Sequence, residues 1–509
     1  MQRVAATRAA EAITETNGIT MNSSVSRRAP ALRALVGISM LALSGVAMKI
    51  KQSRGLRMQK FGIVLQAALS LAFFVCVEAH AQGVQPYPNA ITTREVRSKT
   101  PMLPPPVNIV FTDPDFGSEM VRVTDENMAP SGSRGFFVNP GGLIGAWSAD
   151  GQKFYVFGES GRGFAFGFDA ADMSIKPLPG TAGGEGLPIP LRWPTFSFVD
   201  PDLMYGTLPN APLTIASYRF STSVITPLVD TTKCGTEPPL ASHVYSDVVN
   251  VSRDDKRLVA AEGAKEFGSY MFVTVYDKHL GCRWYNTQTG QIRGSWGASG
   301  QASTGDKYLV NHSEISGSGR YVRIGVEHFG FYVWDVATLN VTACPVHARP
   351  DCAGYSAIGH NDLINAPGEI DEMNTLKRPL GDLTRFTQLV HPLPLPHLWG
   401  MEVRFSWTNG KLNDYAPVCG TTTSYDGDPS VKQAYDGEIF CIETDESRST
   451  IWRFAHNRAA WDNPYFYTAP LANVSLDGRF LLFTSSWDNQ VGTTNTGAPR
   501  TDVWIVKLD

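Results

Sequence analysis

The sequence lacks an excess of charge of either sign. Of its 509 residues, 18% are Asp, Glu, Lys or Arg, and the formal net charge is -4. Domains that bind nucleic acid usually carry a basic patch, so we expect no nucleic-acid partner. Glycine (47) and proline (33) are abundant instead, and 11% of the residues are aromatic. This composition is typical of many short strands joined by tight turns.

Long hydrophobic runs are also missing. Two apolar runs, 34–48 and 61–77, are shorter than the ~20 residues of a confident membrane-spanning helix. The second run follows the basic start Met58-Gln-Lys and precedes Ala79 and Ala81, which suit a signal-peptidase site. We therefore predict a signal peptide over residues 58–81, export to the periplasm or the extracellular space, and no stable membrane span in the mature chain. Residues 1–57 are interpreted as an over-extended start or an extra signal or anchor segment.

Cysteine is scarce, and no Cys-x-x-Cys occurs, so neither a zinc knuckle nor a thioredoxin-like redox site is supported. Six cysteines follow the predicted cleavage site. An even number in an exported chain indicates disulfides, although six cysteines allow 15 pairings. Pairing between neighbours is the simplest solution: Cys234 with Cys282, Cys344 with Cys352, and Cys419 with Cys441.

A repeated pattern organises the chain beyond a Pro-rich linker at 82–106. An apolar strand is followed by Ser-x-Asp-Gly or a variant, and then by a strand rich in aromatic and β-branched residues. Asp-Gly supplies the positive backbone angles of a tight hairpin turn. The serines of this signature are Ser148, Ser197, Ser252, Ser316, Ser406 and Ser475.

Each repeat unit holds about four strands, the size of one propeller blade. We therefore predict an all-β fold, a β-propeller of four-stranded antiparallel blades over residues 107–509. The long interval between Ser316 and Ser406 contains either an eroded seventh blade or an insertion. The Pro-rich run 391–396 favours an insertion, and so six blades. Residues 107–128 are expected to close the ring against the last blade.

These repeats resemble those of the TolB-like propellers, whose blades carry a Ser-Pro-Asp-Gly-Lys signature at this position. The resemblance covers most of residues 107–509 and is specific for fold only, since the family includes translocation proteins, peptidase domains and oligogalacturonate lyases. The run 473–485 (NVSLDGRFLLFTS) is similar to the final blade of the lyases. Those lyases carry a Gln-x-x-His-x-His metal motif just before it, where this chain has Ala469 to Asn473. The departure predicts that the lyase manganese site is absent. No Gly-x-Ser-x-Gly elbow with a matching triad supports a hydrolase.

Candidate catalytic residues follow from strand alternation. The strand before each signature serine is expected to line the central channel, so positions two and four before the serine share a face. This count selects His312, Glu314, Glu402 and Arg404, which would place acid, base and cation in one funnel. Such a group suits an anionic or sugar ligand, or proton transfer next to a carboxylate. The alternative is that these polar groups cap strand ends and bind channel water.

Further candidates are ligand-binding or metal-binding residues. The ligand-binding set adds two channel positions and three loop residues: Asn250, Asn473, His360, His397 and Trp399. A divalent metal held by His312, His360 and His397 stays an open alternative; no other cofactor is indicated.

The sequence leaves three roles open. The first is an exported, monomeric binding module for a saccharide or a cell-envelope protein at the channel mouth. The second is a carbohydrate-active enzyme, lyase-like or hydrolase-like, with its site in the channel. The third is a scaffold in the cell envelope.

Overall fold

The structure is a computed structural model. It describes the following residues: 86–128, 137–142, 144–159, 161–178, 189–234, 245–246, 248–263, 270–326, 330–345, 352, 356–366, 375–390, 401–424, 434–445, 450–460 and 466–509. Within them no helix is long and apolar enough to cross a membrane.

Seven antiparallel sheets follow one another along the described chain, and each is one blade of a propeller. Blades 1, 2, 4, 5 and 6 have four strands each, in sequence order from the inner to the outer edge. In blade 1 these are Phe137–Val138, Lys153–Gly158, Gly163–Asp169 and Ser174–Pro177. In blade 2 they are Arg192–Phe196, Leu203–Leu208, Ala211–Arg219 and Val224–Asp230. In blade 4 they are His312–Ile315, Tyr321–Val326, Gly330–Asp335 and Val341–Pro345. In blade 5 they are Ser356–Ile358, Asp362–Asn365, Thr375–Pro379 and Thr387–Val390. In blade 6 they are Met401–Ser406, Val418–Ser424, Glu438–Ile442 and Ile451–His456.

The other two blades depart from the four-stranded plan. Blade 3 has an interrupted first strand and two additional outer strands: Tyr245–Ser246, Asn250–Val251, Arg257–Gly263, Tyr270–Asp277, Gly281–Asn286, Gln291–Gly294 and Gly300–Gln301. Blade 7 combines both ends of the described chain, in the order Ala472–Val474, Phe480–Ser485, Asp502–Lys507, Glu119–Arg122 and Val110–Thr112. The pairing of Met120 with Val506 confirms the predicted ring closure. Short 3-10 helices lie at Glu126–Met128, Thr231–Lys233, Asn409–Lys411 and Phe466–Thr468.

The prediction of six blades was wrong. Blade 5 occupies the interval between Ser316 and Ser406, and its first turn, 359–361, contains neither the signature serine nor Asp-Gly. The amides of this turn are bound by a carboxylate from another blade. Asp414 Oδ1 accepts from the backbone N–H of His360 (2.6 Å) and Asn361 (3.1 Å). A remote residue therefore replaces the local cap, and the sequence signature disappears.

The recognised turns have the expected chemistry. Ser148 donates to Asp150 (2.6 Å) and accepts from the N–H of Lys153, while Gly151 adopts a φ of 68°. Ser475 donates to Asp477 at the same distance. The serine and aspartate thus satisfy local donors, and the glycine permits the left-handed backbone.

Buried tryptophans and disulfides stabilise the blades. The fully buried tryptophans lie in or beside the blades: Trp147, Trp284, Trp334, Trp407, Trp452, Trp487 and Trp504. The structure confirms the predicted disulfides Cys234–Cys282, Cys344–Cys352 and Cys419–Cys441. The first of these links the end of blade 2 to blade 3.

Residues from Pro86 onwards pack against the outer edge of blade 6. The ring of Tyr87 contacts Trp452 and Phe454 edge-on, both at 5.2 Å between centroids. Ile91 pairs through its backbone with Arg453. Arg453 itself forms a fully buried, two-bond ion pair with Glu438, with N–O distances of 2.6 Å.

Candidate functional site

The blade topology gives the propeller two distinct faces. First strands contact each other between blades 3 and 4, blades 5 and 6, and blades 6 and 7, as expected of strands that line a central channel. Each first strand runs into the turn that carries, or replaces, Ser-x-Asp-Gly. We call the end of the propeller with these turns the turn face. The first strands begin at the opposite face.

A buried charge cluster lies on the first two strands of blade 4. Arg323 Nη1 donates to Glu314 Oε2 (2.9 Å) and to His312 Nε2 (2.6 Å). Glu314 and Arg323 are opposite each other in the strand register and are 2% and 5% exposed. Because guanidinium only donates, His312 Nε2 accepts and its ring proton lies on Nδ1. The His312 ring lies directly over Gly325, where a Cβ would overlap it.

Lys411 enters this cluster from blade 6. Its Nζ donates to Oδ1 of Asn250, a channel residue of blade 3, and lies 5.6 Å from the centre of the Phe198 ring. Only 4% of Lys411 is exposed, and Glu314 is the carboxyl that acts on its charge. The structure thus brings His312, Glu314 and Asn250 together with two residues that our sequence analysis missed, Arg323 and Lys411.

Lys411 belongs to residues 407–417, which we call the cross-channel segment. Thr408 Oγ1 donates to the carbonyl of Val474 in blade 7 (2.6 Å), and Arg253 of blade 3 donates to the carbonyl of Leu412 (2.9 Å). His360 Nδ1 lies 3.1 Å from the carbonyl of Lys411. The segment therefore has partners in blades 7, 3 and 5, all at the turn face.

Burial dominates the electrostatics of the cluster. It lowers the pKa of His312 to about 3, with a further contribution from Arg323, so His312 is neutral at physiological pH. It lowers the pKa of Lys411 to about 8, against the attraction of Glu314. Burial also raises the pKa of Glu314, which Arg323 and Lys411 oppose. One carboxyl group therefore faces two cationic side chains.

The remaining predicted residues are placed elsewhere or lie outside the described part. Arg404 is buried on the first strand of blade 6; the side chain of Glu402, on the same strand, lies outside what the structure describes. Asn473 is buried and donates to the carbonyls of Gly141 (2.5 Å) and Ile144 (2.6 Å), which ties blade 7 to blade 1.

Of the predicted loop residues, the structure describes His360 alone, and it is not part of the cluster. His360 lies at the turn face, whereas His312 begins its strand at the opposite face. His397 and Trp399 fall outside the described residues. In the described part of the chain, no group of three or more His, Cys, Asp or Glu side chains is arranged to hold a metal ion.

The two missed residues differ in how far the sequence could have located them. Arg323 lies two residues after Tyr321 on the strand that pairs with Glu314, so antiparallel pairing around the Ser316 turn could have located it. Lys411 follows the Asn409-Gly410 of a signature turn. The next strand begins only at Val418, so a segment of additional residues follows this turn. Its reach across the channel has no local sequence signal.

Comparison with known proteins adds no functional assignment. No protein-family model and no curated protein matches the sequence. Among solved structures, the chain is similar to an oligogalacturonate lyase from Vibrio parahaemolyticus, at 11% identity and a TM-score of 0.48, covering 79% of this chain and 96% of that one. An oligogalacturonate lyase in complex with manganese matches at 12% identity and a TM-score of 0.48, covering 82% and 98%.

TolB from Acinetobacter baumannii matches more weakly, at 13% identity and a TM-score of 0.30, with 53% of this chain and 60% of that chain covered. Similarities at these identities and TM-scores carry no argument about function. The seven sheets themselves establish the β-propeller fold.

Proposed function

We propose that this protein is an exported binding module that holds a carboxylate-bearing saccharide in its central channel. The observation that carries the proposal is the cluster of the buried residues Arg323, Lys411 and Glu314 with the half-buried His312. Charged side chains are costly to bury, and well-packed apolar residues would serve stability as well or better. Perturbed, clustered ionisable groups in a channel are candidates for ligand binding.

The charge balance of the cluster favours an anion. Glu314 is the carboxyl that pairs with Arg323 and acts on Lys411, so the two cations exceed it. Arg323 Nε has no hydrogen-bond partner among the described residues. A ligand carboxylate would accept from such donors, and hydroxyl groups of a sugar would bond to Asn250 and Glu314.

A second candidate function is a carbohydrate-active enzyme at the same site. The specific observation in its favour is that His312 is held neutral beside a guanidinium group. A neutral imidazole can accept a proton from a sugar carbon or hydroxyl only at a nitrogen with a free lone pair, so Arg323 would first have to release Nε2 of His312. We keep this role second for that reason, and because the described residues show no recognisable arrangement of acid and base about a reacting bond.

The test is a titration of residues 82–509, with disulfides intact, against polygalacturonate and its methyl ester. The two polymers share a backbone and differ in charge. We expect saturable binding of the acid and at least tenfold weaker binding of the ester. Absence of any binding, or equal affinity for both polymers, would contradict the proposal.

Two variants locate the site. Arg323→Met is expected to weaken binding of the acid about tenfold or more, because it removes the donor shared by Glu314 and His312. Arg320→Met is the matched control, since Arg320 is an exposed arginine of the same hairpin whose partner is Asp335. Release of new reducing or unsaturated ends by the wild type, abolished in His312→Gln and retained in His360→Gln, would establish the enzyme instead.

A further inference from the structure

We infer that the channel is closed at the turn face by the cross-channel segment, so that this propeller recognises the end of a ligand chain, with Lys411 as the specificity-determining residue. The inference deepens the proposed function and rests on it. It follows from where residues 407–417 lie and from which blades they contact.

The path of the segment crosses the axis of the propeller. The segment follows the first strand of blade 6. From it, Lys411 Nζ donates to Asn250 of blade 3, and the carbonyl of Leu412 accepts from Arg253 of the same blade. In a ring of seven, blades 3 and 6 are separated by two blades on one side and three on the other. The segment also touches the turns of blade 4 at Gly317 and of blade 5 at His360, and Thr408 bonds to Val474 of blade 7, so that it spans most of the turn face.

The neighbouring turns are shaped to receive this segment. A Cβ at Gly317 of blade 4 would overlap the carbonyl oxygen of Lys411. A Cβ at Gly359 of blade 5 would approach Asp414 Oδ1 and the Trp407 ring, both at 2.5 Å. Trp407 is buried and donates from Nε1 to the carbonyl of Ala416 (2.7 Å). These close approaches hold the segment in one position.

Lys411 forms the floor of the closed channel. Its ammonium group has three N–H donors, and the bond to Asn250 uses one of them. Glu314 and the Phe198 ring are its other charged and aromatic neighbours. Within the part of the chain that the structure describes, Asn250 is the hydrogen-bond partner of this ammonium group, and we infer that its other donors bind an anionic group that reaches the floor from the opposite face, where His312 begins its strand.

Closure at one end restricts the shape of the ligand. A polymer cannot pass through the channel, so only a terminal residue can reach Lys411. Recognition of an internal residue would require the chain to continue past the floor. The ligand class is therefore a saccharide chain whose terminal residue carries a carboxylate.

The test counts bound protein molecules per chain on acidic oligosaccharides of increasing length, by analytical ultracentrifugation at saturation. End recognition predicts one protein per chain and an affinity per chain that stays constant with length. Internal recognition predicts more proteins per chain as the chain lengthens, and that result would overturn the inference while the proposed function stands. No binding at any length would overturn both.

The role of Lys411 is tested by substitution. Lys411→Met is expected to reduce at least tenfold the preference for a free terminal carboxylate over its methyl ester, and Lys411→Arg is expected to restore most of it. Lys377→Met is the matched control: Lys377 is equally buried and holds the same segment through the carbonyl of Asp414 (2.9 Å), but from blade 5. An equal loss of preference in both methionine variants would mean that Lys411 acts only by positioning the segment, and would overturn its assignment.

Discussion

At the scale of the residue, a single buried ionisable side chain can make stability depend on pH, and strand patterns in the sequence do not reveal it. Glu262, on the second strand of blade 3, is 1% exposed, and neither carboxyl oxygen has a hydrogen bond among the described residues. The hydroxyl groups of Thr231 and Thr274 lie near it without hydrogen-bond geometry. Burial raises the pKa of Glu262 to about 8. Between about pH 4.5 and 8 the folded protein therefore holds a proton at Glu262 that the unfolded chain, with its pKa of 4.5, has already lost.

Stability should consequently fall as the pH rises through this window. Between about pH 4.5 and 8 the folded state binds more protons at Glu262 than the unfolded state, so its contribution to the free energy of unfolding decreases by a few kcal/mol. Glu262→Gln is expected to remove this component. The measurement is the urea midpoint of unfolding of wild type and variant at pH 5, 6.5 and 8. The quantity compared is the difference between the two proteins at each pH.

The difference between the two proteins is needed because buried histidines act in the opposite direction. Burial lowers the pKa of His456 to about 4, so its contribution is lost as the pH falls from 6.5 through 4. It cancels when wild type and variant are compared at one pH. A stability difference that does not change between pH 5 and 8 would refute the account of Glu262.

At the scale of the element, the chemistry of each first turn determined whether its blade could be predicted from the sequence. Copies with a complete Ser-x-Asp-Gly, such as that at Ser148, were recognised because their capping groups are local. Blade 5 was not recognised, because the residue that caps its turn, Asp414, belongs to blade 6. Alternation within one strand is a local rule, and it placed His312 and Glu314 on one face, where both bond to Arg323. Arg323 and Lys411 depend on pairing between strands and between blades.

Because Asp414 of blade 6 caps the turn of blade 5, its substitution should act on a different blade from its own. Asp414→Ala frees the amides of residues 360–362, and we expect a loss of about 1–3 kcal/mol in the free energy of unfolding. Hydrogen exchange should rise in blade 5, although the mutation lies between strands of blade 6.

Asp477→Ala is the matched control, because Asp477 caps its own turn in blade 7. Its faster exchange should stay within residues 477–480. Unchanged exchange at residues 360–362 in Asp414→Ala would show that the turn of blade 5 does not depend on this carboxylate.

At the scale of the whole molecule, the ring is closed by strands from both ends of the described part of the chain. Glu119–Arg122 pairs with Asp502–Lys507, and Arg122 Nη2 donates to the buried Asp502 Oδ2 (2.6 Å). The same carboxylate group binds Arg500 at 2.9 Å. An open ring would expose the edge of the C-terminal strand.

Truncation should therefore distinguish the contribution of residues 1–81 from that of the ring closure. A chain that starts at residue 82 is expected to fold as a monomer with a single thermal transition. A chain that starts at residue 123 lacks two of the five strands of blade 7 and should aggregate or unfold at a lower temperature. Size-exclusion chromatography and calorimetry of the two chains make the comparison, and equal behaviour would mean that the closure adds nothing measurable.

The composite blade 7 also sets the timing of folding. Arg122 and Asp502 are 380 residues apart, and a ribosome releases the first long before the second. The strands that emerge first thus obtain their partners last, and blades 1 to 6 have to wait beside an unpaired edge. Contacts of such high sequence separation slow folding and prolong exposure of aggregation-prone strands. Ring closure therefore has to wait for the synthesis of residues 502–507, because the strand Glu119–Arg122 closes the ring by pairing with them.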